Sequence, residues 1–483
     1  MKKKSWIIPA ALAVPTGVVV ARTIMNKAKP NTSAPAISWT KDDADKYAHN
    51  LSEMIKVPTI SKSRGEDYSD FLKLQDKMAK LFPLTFSTLE KHDIDGNMLR
   101  RWQGKNPDAP AVLFMGHQDV VPVNQAGWTR DPFSGDISDG IIWGRGAMDC
   151  KSTVCCEFSA VEELLEQGFV PPCDVWLSSS VNEENSGGGA EQAVDYLYEK
   201  GVKLRFVMDE GGAIVDNLIP GLKNPCAAIG VVEKGFCDVK FTAKGSGGHA
   251  STPNKNTPLV RLGKFMAYVD KKQPFKAEMN SPIPEMFDSI APYLTFPLRA
   301  LMSNQWLFSS LTKTALSKLT GATRAFVQTT AAFTMSEGSD AANVLPDQAY
   351  VICNVRPSPH QNADESIGIL RDIAKKFDIE TQVIKQRDAS RVTPTNSEEM
   401  KYLKKCLNAC IPDAVVTPYL MTGGTDSRKY EKICDNILRF TPTRLTSEQL
   451  AAMHAANENV GVEAIAEGVK IYRYIIEHLN ELS

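Results

Sequence analysis

Apolar positions along the chain follow two rhythms. In "KDDADKYAHNLSEMIKVPTIS", Tyr47, Leu51, Met54 and Ile55 recur at helical spacing, and Pro58 stops the helix. "KSTVCCEFSAVEELLEQG" predicts an amphipathic helix closed by Gly168, and "EEMKYLKKCLNACI" and "VGVEAIAEGVKIYRYIIEHL" predict two more near the C-terminus. The other rhythm is short. "APAVLFMGHQDVV", "CDVWLSSSVNEE" and "KLRFVMDEGG" are brief apolar runs, each ending in polar or acidic residues. Strands alternating with helices predict an α/β fold with a mostly parallel sheet covered by helices. In such sheets the ligand lies beyond the carboxyl ends of the strands, where the acidic clusters sit.

Around Gly230 the pattern changes. "GFCDVKFTAKGSGGHAS", "QAYVICNVRPSP" and "DIETQVIKQRD" alternate like half-exposed antiparallel strands, predicting an inserted α+β domain over residues 230–389. The catalytic domain is then residues 39–229 plus 390–483. Residues 1–38 stand apart: "MKKKSWIIPAALAVPTGVVVAR" has a basic start and an apolar run, and "KPNTSAPAIS" reads as a linker. We expect N-terminal membrane association through an uncleaved anchor, with a removed signal peptide and a secreted protein as the alternative. Basic residues flank both ends of the run, so charge does not fix its orientation.

The chain has 483 residues, 43% of them hydrophobic, ample for more than one folding unit. A net charge of −2, with no basic run beyond the N-terminal one, argues against a nucleic-acid partner. Ten cysteines are scattered without a CxxC pair, matching neither a disulfide framework nor a zinc knuckle, and are expected to act as small buried hydrophobes.

The candidate chemistry lies at the strand ends: His117 and Asp119, Asp149, Glu183 and Glu184, Asp209 and Glu210, and His454. A lone strand-end histidine is more often hydrogen-bonded structure than ligand, and a Glu-Glu pair is usually solvated surface. Convergence changes the picture. Several carboxylates in one crevice repel one another unless cations bind there, and histidine with carboxylate suits zinc, with manganese or cobalt as less specific choices.

Eight stretches carry a resemblance: "GHQDVVPV", "GRGAMDCKS", "NEENSGGGA", "DEGG", "SGGHAST", "NVLPDQAYVICNVRPSP", "GGTDSR" and "MHAANENV". In this order they resemble the di-zinc metallopeptidases that include aminoacylase, glutamate carboxypeptidase and carboxypeptidase S, closest to the last branch, over about residues 45–480. The resemblance implies a zinc-peptidase-like catalytic domain with a lid or dimerisation-type insert. It also implies two Zn2+ ions, Co2+ or Mn2+ being substitutes. His117 and Asp209 would bind one ion, Glu184 and His454 the other, and Asp149 would bridge them, with a cis peptide following Asp149. Asp119 would orient the His117 imidazole. Glu183 would be the general base toward a metal-bridged hydroxide. In the insert, His249 would stabilise the oxyanion, while Asn343 and Arg356 would hold the substrate's free carboxylate. Gly423, Gly424 and Thr425, followed by Asp426, would form a tight loop near the substrate. Asn182, Cys150 and Lys429 depart from the residues relatives usually carry, which bears on substrate preference and not on hydrolysis.

The function implied is hydrolysis of an amide bond beside a free carboxylate, in a small peptide or an N-acyl amino acid. The alternative is a non-catalytic binding or receptor module on the same fold; such modules typically lose ligands, whereas all five ligands and the base stand here. Di-zinc phosphoester hydrolysis would want more cationic groups than Arg356. The apolar stretch "APYLTFPLRALMSNQWLFSSL" is read either as an acyl pocket or as core and dimer interface, and the insert admits a homodimer.

Overall fold

Helix Lys41–Ile55 forms where its spacing places it: Thr40 and Asp43 make a reciprocal capping box, and Tyr47, Leu51, Met54 and Ile55 are buried. Its buried stripe packs with helices Lys151–Glu166 and Val462–Glu477, which meet each other as well. In the computed structural model these three share a core with Val112, Phe114, Phe206 and Met208 of the large sheet. Alternate residues of the same strands, Ala111, Leu113, Met115 and Val207, point the other way, into a second core with Ala193 and Leu197 of helix Gly189–Glu199. Both faces are therefore covered, which is why these strands read as continuous apolar runs. All residues are described except 1–6, 29, 30, 32, 64, 217, 219, 220, 320 and 483, with backbone alone for 7–15 and 322.

The large sheet runs, in spatial order, Glu90–Lys91, Met98–Trp102, Val175–Ser180, Ala111–His117, Leu204–Asp209, Ile437–Arg439, Cys226–Glu233, Ile214–Val215 and Arg444–Leu445, with Val415–Met421 beside Cys226–Glu233. The central pairs are parallel: Ala111–His117 lies between Val175–Ser180 and Leu204–Asp209, in a register that sets His117 opposite Ser180. Three strands thus release their polar ends at one edge.

The insert has its own antiparallel sheet, ordered Thr330–Glu337, Gln348–Arg356, Phe236–Lys244 and Glu380–Arg387. Helices Pro258–Lys272 and Ala363–Lys375 close a separate core around Phe241, Phe265 and Leu370. Helix Ile283–Ile290 lies within residues 230–389 by sequence but packs on strand Val415–Met421 of the large sheet. The two chain crossings run side by side: Glu233 N–H donates to Ser390 Oγ at 2.7 Å, and Gly235 N–H to the Pro357 carbonyl at 2.8 Å.

The basic start lies outside the described residues, and helix Ile7–Met25 follows it. Among the described residues no helix is long and apolar enough to cross a membrane. The residues just after that helix dock on the protein, Asn26 Nδ2 donating to Ser303 Oγ at 2.8 Å and Ala28 N–H to the Pro292 carbonyl at 3.0 Å. The stretch read as an acyl pocket carries Phe296, Trp306, Leu307 and Leu311 exposed on the surface. Nine of the ten cysteines are buried, and none is in a disulfide.

Candidate metal centre

His117 closes strand Ala111–His117, Asp209 closes Leu204–Asp209, and Glu183 and Glu184 follow Val175–Ser180. Asp149 precedes helix Lys151–Glu166, across a cis Asp149–Cys150 peptide. His454 comes from a turn near the C-terminus, at φ 59°.

Asp149 is the hinge of the arrangement. Its Oδ1 lies 3.0 Å from His117 Nε2 and its Oδ2 lies 3.0 Å from His454 Nε2. Glu184 Oε2 stands 3.1 Å from His454 Nε2, and Glu210 Oε1 stands 3.5 Å from His117 Nε2. Two overlapping sets of donor atoms result, His117 with Asp149, Cys150 and Glu210, and Asp149 with Glu184 and His454. The Cys150 thiol is occupied otherwise, accepting the His117 backbone N–H at 3.0 Å.

Four of the five expected ligands come together, and Asp209 does not join them. Its Oδ1 accepts the Glu210 N–H at 2.8 Å and its Oδ2 the Ser427 N–H at 2.9 Å, so it anchors the loop after Gly423 instead. Glu210, one residue on, points into the cluster in its place. Asp119 also does more than orient an imidazole. The nearer partner of His117 Nδ1 is the Asp119 backbone carbonyl at 2.8 Å, with its carboxylate at 3.3 Å. That carboxylate accepts the N–H groups of Glu183 and Glu184 at 3.2 and 3.1 Å, fixing the turn that aims both glutamates.

Sequence reasoning missed Glu458, which is completely buried. It accepts the N–H groups of Gly146, Met148 and Asp149 and pairs with Arg145 Nη1 at 2.6 Å, so it builds the loop that presents Asp149. Its place four residues after His454 in "MHAANENV" was the available signal.

The electrostatics are those of a crowded anionic site. Burial, then repulsion from Asp149, pushes the Glu210 carboxyl up to about 8. Burial, with Glu210, Asp426 and Asp149 repelling and His117 opposing, raises Glu183 well above the carboxylate range. Burial, with Asp209 and Asp119, brings Asp426 to about 7. Hydrogen bonds to Asp149 and Glu184 lift His454 to about 10. Burial disfavours charge on His117, but Cys150, Glu210 and Asp119 outweigh it and hold its pKa well up. Cations would relieve this repulsion. Two imidazoles and three carboxylates, with Glu184 Oε1 buried and lacking any hydrogen-bond partner, are a nitrogen and oxygen donor set suited to zinc, manganese or cobalt.

The expected substrate residues divide. Arg356 lies at the domain junction, its guanidinium 4.7 Å from the Phe236 ring centroid and its Nε donating to Asn354 Oδ1 at 2.9 Å. Thr425 Oγ1 meets Glu233 Oε1 at 3.1 Å, and Gly424 lies against Arg387 and Glu233, while Gly423 faces open space. His249 and Asn343 are exposed and share one small antiparallel pair, Ala250 N–H donating to the Asn343 carbonyl at 3.0 Å. They lie beyond the opposite end of strand Gln348–Arg356 from Arg356, a length of roughly 27 Å at the usual rise per residue. One chain therefore does not present Arg356 and Asn343 to the same carboxylate.

A model of the family described as Peptidase family M20/M25/M40 matches residues 113–478. The N-fatty-acyl-amino acid synthase/hydrolase PM20D1 of Xenopus tropicalis is 32% identical over 435 residues, covering 89% of this chain and 85% of its own. Carboxypeptidase S of Saccharomyces cerevisiae is 26% identical, covering 89% of this chain and 84% of its own. Among solved structures, an M20 family metallo-carboxypeptidase from Sulfolobus solfataricus superposes with a TM-score of 0.64 at 20% identity, covering 89% of this chain and 98% of its own, a likeness of fold.

Proposed function

The chain belongs to the M20/M25/M40 peptidase family of metal-dependent hydrolases, and from that premise we propose that it cleaves an amide bond adjacent to a free carboxylate, in a small peptide or an N-acyl amino acid. The observation that carries the reading is Asp149, whose two oxygens each stand 3.0 Å from a different imidazole. His117, Asp149 and Glu210 would hold one divalent cation, and Asp149, Glu184 and His454 a second, zinc in the first instance. Bound there, such a pair supplies Lewis acidity toward the scissile carbonyl.

The chain's own groups do the rest. Glu183, aimed by the hold of Asp119 on its backbone, takes a proton from the attacking water and delivers it to the leaving nitrogen. Arg356 receives the substrate carboxylate through its guanidinium fork. His249 and Asn343, too far from Arg356 within one chain, serve the oxyanion and substrate in the site of a second copy, through a homodimer made by the insert. The names of the two relatives, an acyl-amino-acid hydrolase and a carboxypeptidase, support both substrate classes.

The test compares N-acyl amino acids and dipeptides with their C-terminal amides on zinc-loaded protein. The free acids are expected to be strongly preferred. Arg356→Ala is expected to erase roughly 10- to 150-fold of that preference, the equivalent of one charge-assisted hydrogen-bonded pair. Equal cleavage of acid and amide by the unmutated enzyme refutes the reading.

A further inference from the structure

Beyond the metal centre, guanidinium groups crowd the junction between the two sheets. Arg356 and Arg387 flank Phe236 on neighbouring strands: Phe236 pairs directly with Arg387, and Arg356 lies one residue past the Cys237–Val355 pair. Arg428 and Arg439 approach from the large domain. Glu233 is the one carboxylate within ion-pair distance of this group among the described residues, one anion against four guanidiniums, with Oε1 hydrogen-bonded and Oε2 buried without a hydrogen-bond partner. Its Oε1 takes Arg439 Nε at 2.5 Å and Thr425 Oγ1, and its Oε2 lies 3.7 Å from Arg428 Nη1.

Much of the donor capacity is left over. Arg387 Nε, Arg428 Nη1 and both terminal nitrogens of Arg439 are buried without hydrogen-bond partners, and Arg439 is completely buried. Other acids face the cluster but are engaged: Asp238 accepts from Asn354 Nδ2, Asp388 from the Ala363 N–H, and Glu431 from the Arg391 N–H. Burial first and then Arg387 lower the pKa of both Arg356 and Arg428, so these cations repel one another. Lys234 retreats further, held down to about 7 by burial and Arg356. A buried excess of unpaired guanidinium is unfavourable unless anions enter.

The position of Arg387 says which anion. A Cβ on Gly424 would lie 2.9 Å from Arg387 Nη2 and 3.0 Å from Glu233 Oε2, so Arg387 rests on the backbone of the Gly423–Thr425 loop. The same loop is tied through Ser427 N–H to Asp209, the neighbour of Glu210. Arg387 therefore stands on the substrate side of the junction, beside the arginine that receives the substrate carboxylate. We propose that Arg387 receives a second carboxylate, on the side chain of the amino acid released, so that this enzyme prefers substrates ending in aspartate or glutamate.

The proposal rests on the amide-hydrolase reading, and its test separates the two. N-acetyl-glutamate, N-acetyl-glutamine and N-acetyl-leucine are compared as substrates of the full chain loaded with zinc. The kcat/KM ratio of glutamate to glutamine substrate is expected to exceed about tenfold in the unmutated enzyme, to fall by about that factor in Arg387→Gln, and to be partly restored in Arg387→Lys. Free glutamate is also expected to inhibit hydrolysis of the leucine substrate at concentrations about tenfold lower than free glutamine, a readout needing no variant. Hydrolysis of the neutral substrates with no preference for glutamate, equal inhibition by the two amino acids, or a ratio that survives Arg387→Gln overturns this inference alone. Equal inhibition of all three reactions by inorganic phosphate, with no glutamate preference, would assign the cluster to a free anion and overturn it as well. Failure to hydrolyse any of the three, or the dipeptides that end in the same residues, would overturn the amide-hydrolase reading itself.

Discussion

Replacing Glu458 by glutamine changes the Asp149 loop at its root. The shape is kept, but one acceptor oxygen becomes an NH2 group facing Arg145 Nη1 or the Gly146 N–H, and the charge is lost. Removing one partner of a buried pair costs about 3–5 kcal/mol, because the other is left uncompensated. At roughly 1–2 °C per kcal/mol for a unit of this size, the midpoint of thermal unfolding of the metal-free protein should drop by about 3–10 °C. The loop carrying Asp149 should loosen with it, weakening metal binding by roughly 10–100-fold, the usual effect of disturbing a residue that orients a ligand. Thermal unfolding after chelation gives the first quantity and competitive titration with a chromophoric zinc chelator the second. Adding Arg145→Met to the variant should recover part of the stability, since the orphaned guanidinium is then gone. A melting temperature within about 2 °C of the unmutated protein, with metal affinity unchanged, would refute the claim that Glu458 builds this loop.

Asp209→Asn and Glu210→Gln separate the two neighbours. Metal analysis is expected to show one ion weakened in Glu210→Gln, and near-normal metal content with a loosened Gly423–Ser427 loop in Asp209→Asn; the reverse pattern would restore Asp209 as the ligand. Metal binding is expected to release protons. His454 is held near 10 and Glu210 near 8 without metal, and both must deprotonate to become ligands, so affinity should rise with pH between 6 and 8. Calorimetry in buffers of different ionisation enthalpy checks this, and a pH-independent affinity with no proton release would contradict it.

The elements that carry the site were legible because their apolar runs are long and doubly covered. Ala111–His117, Val175–Ser180 and Leu204–Asp209 appear where the sequence puts strands, and the motif order located four of the residues that cluster there and Glu183, the base we propose. What was not legible depends on partners far along the chain. Asp209 and Glu210 are chemically equivalent until the Ser427 N–H arrives from a distant loop to claim one of them. Glu458 looks like any surface glutamate until residues 145–149 fold around it. Arg387 acquires its meaning only from strand register, which sets it across Phe236 from Arg356. Just past the apolar N-terminal run, the Asn26 side chain and the Ala28 N–H dock on Ser303 and Pro292, partners far along the chain that no local pattern announces.

The central claim, a metal pair flanked by a proton-transferring carboxylate, is tested most directly by turnover of Glu183→Gln with its metal content measured on the same sample. The variant keeps every ligand and the shape of the turn held by Asp119. It is expected to retain close to two divalent ions per chain, as in the unmutated enzyme, while kcat on the preferred N-acyl amino acid falls by roughly 10²–10⁴-fold. Full metal occupancy with undiminished kcat would contradict the account.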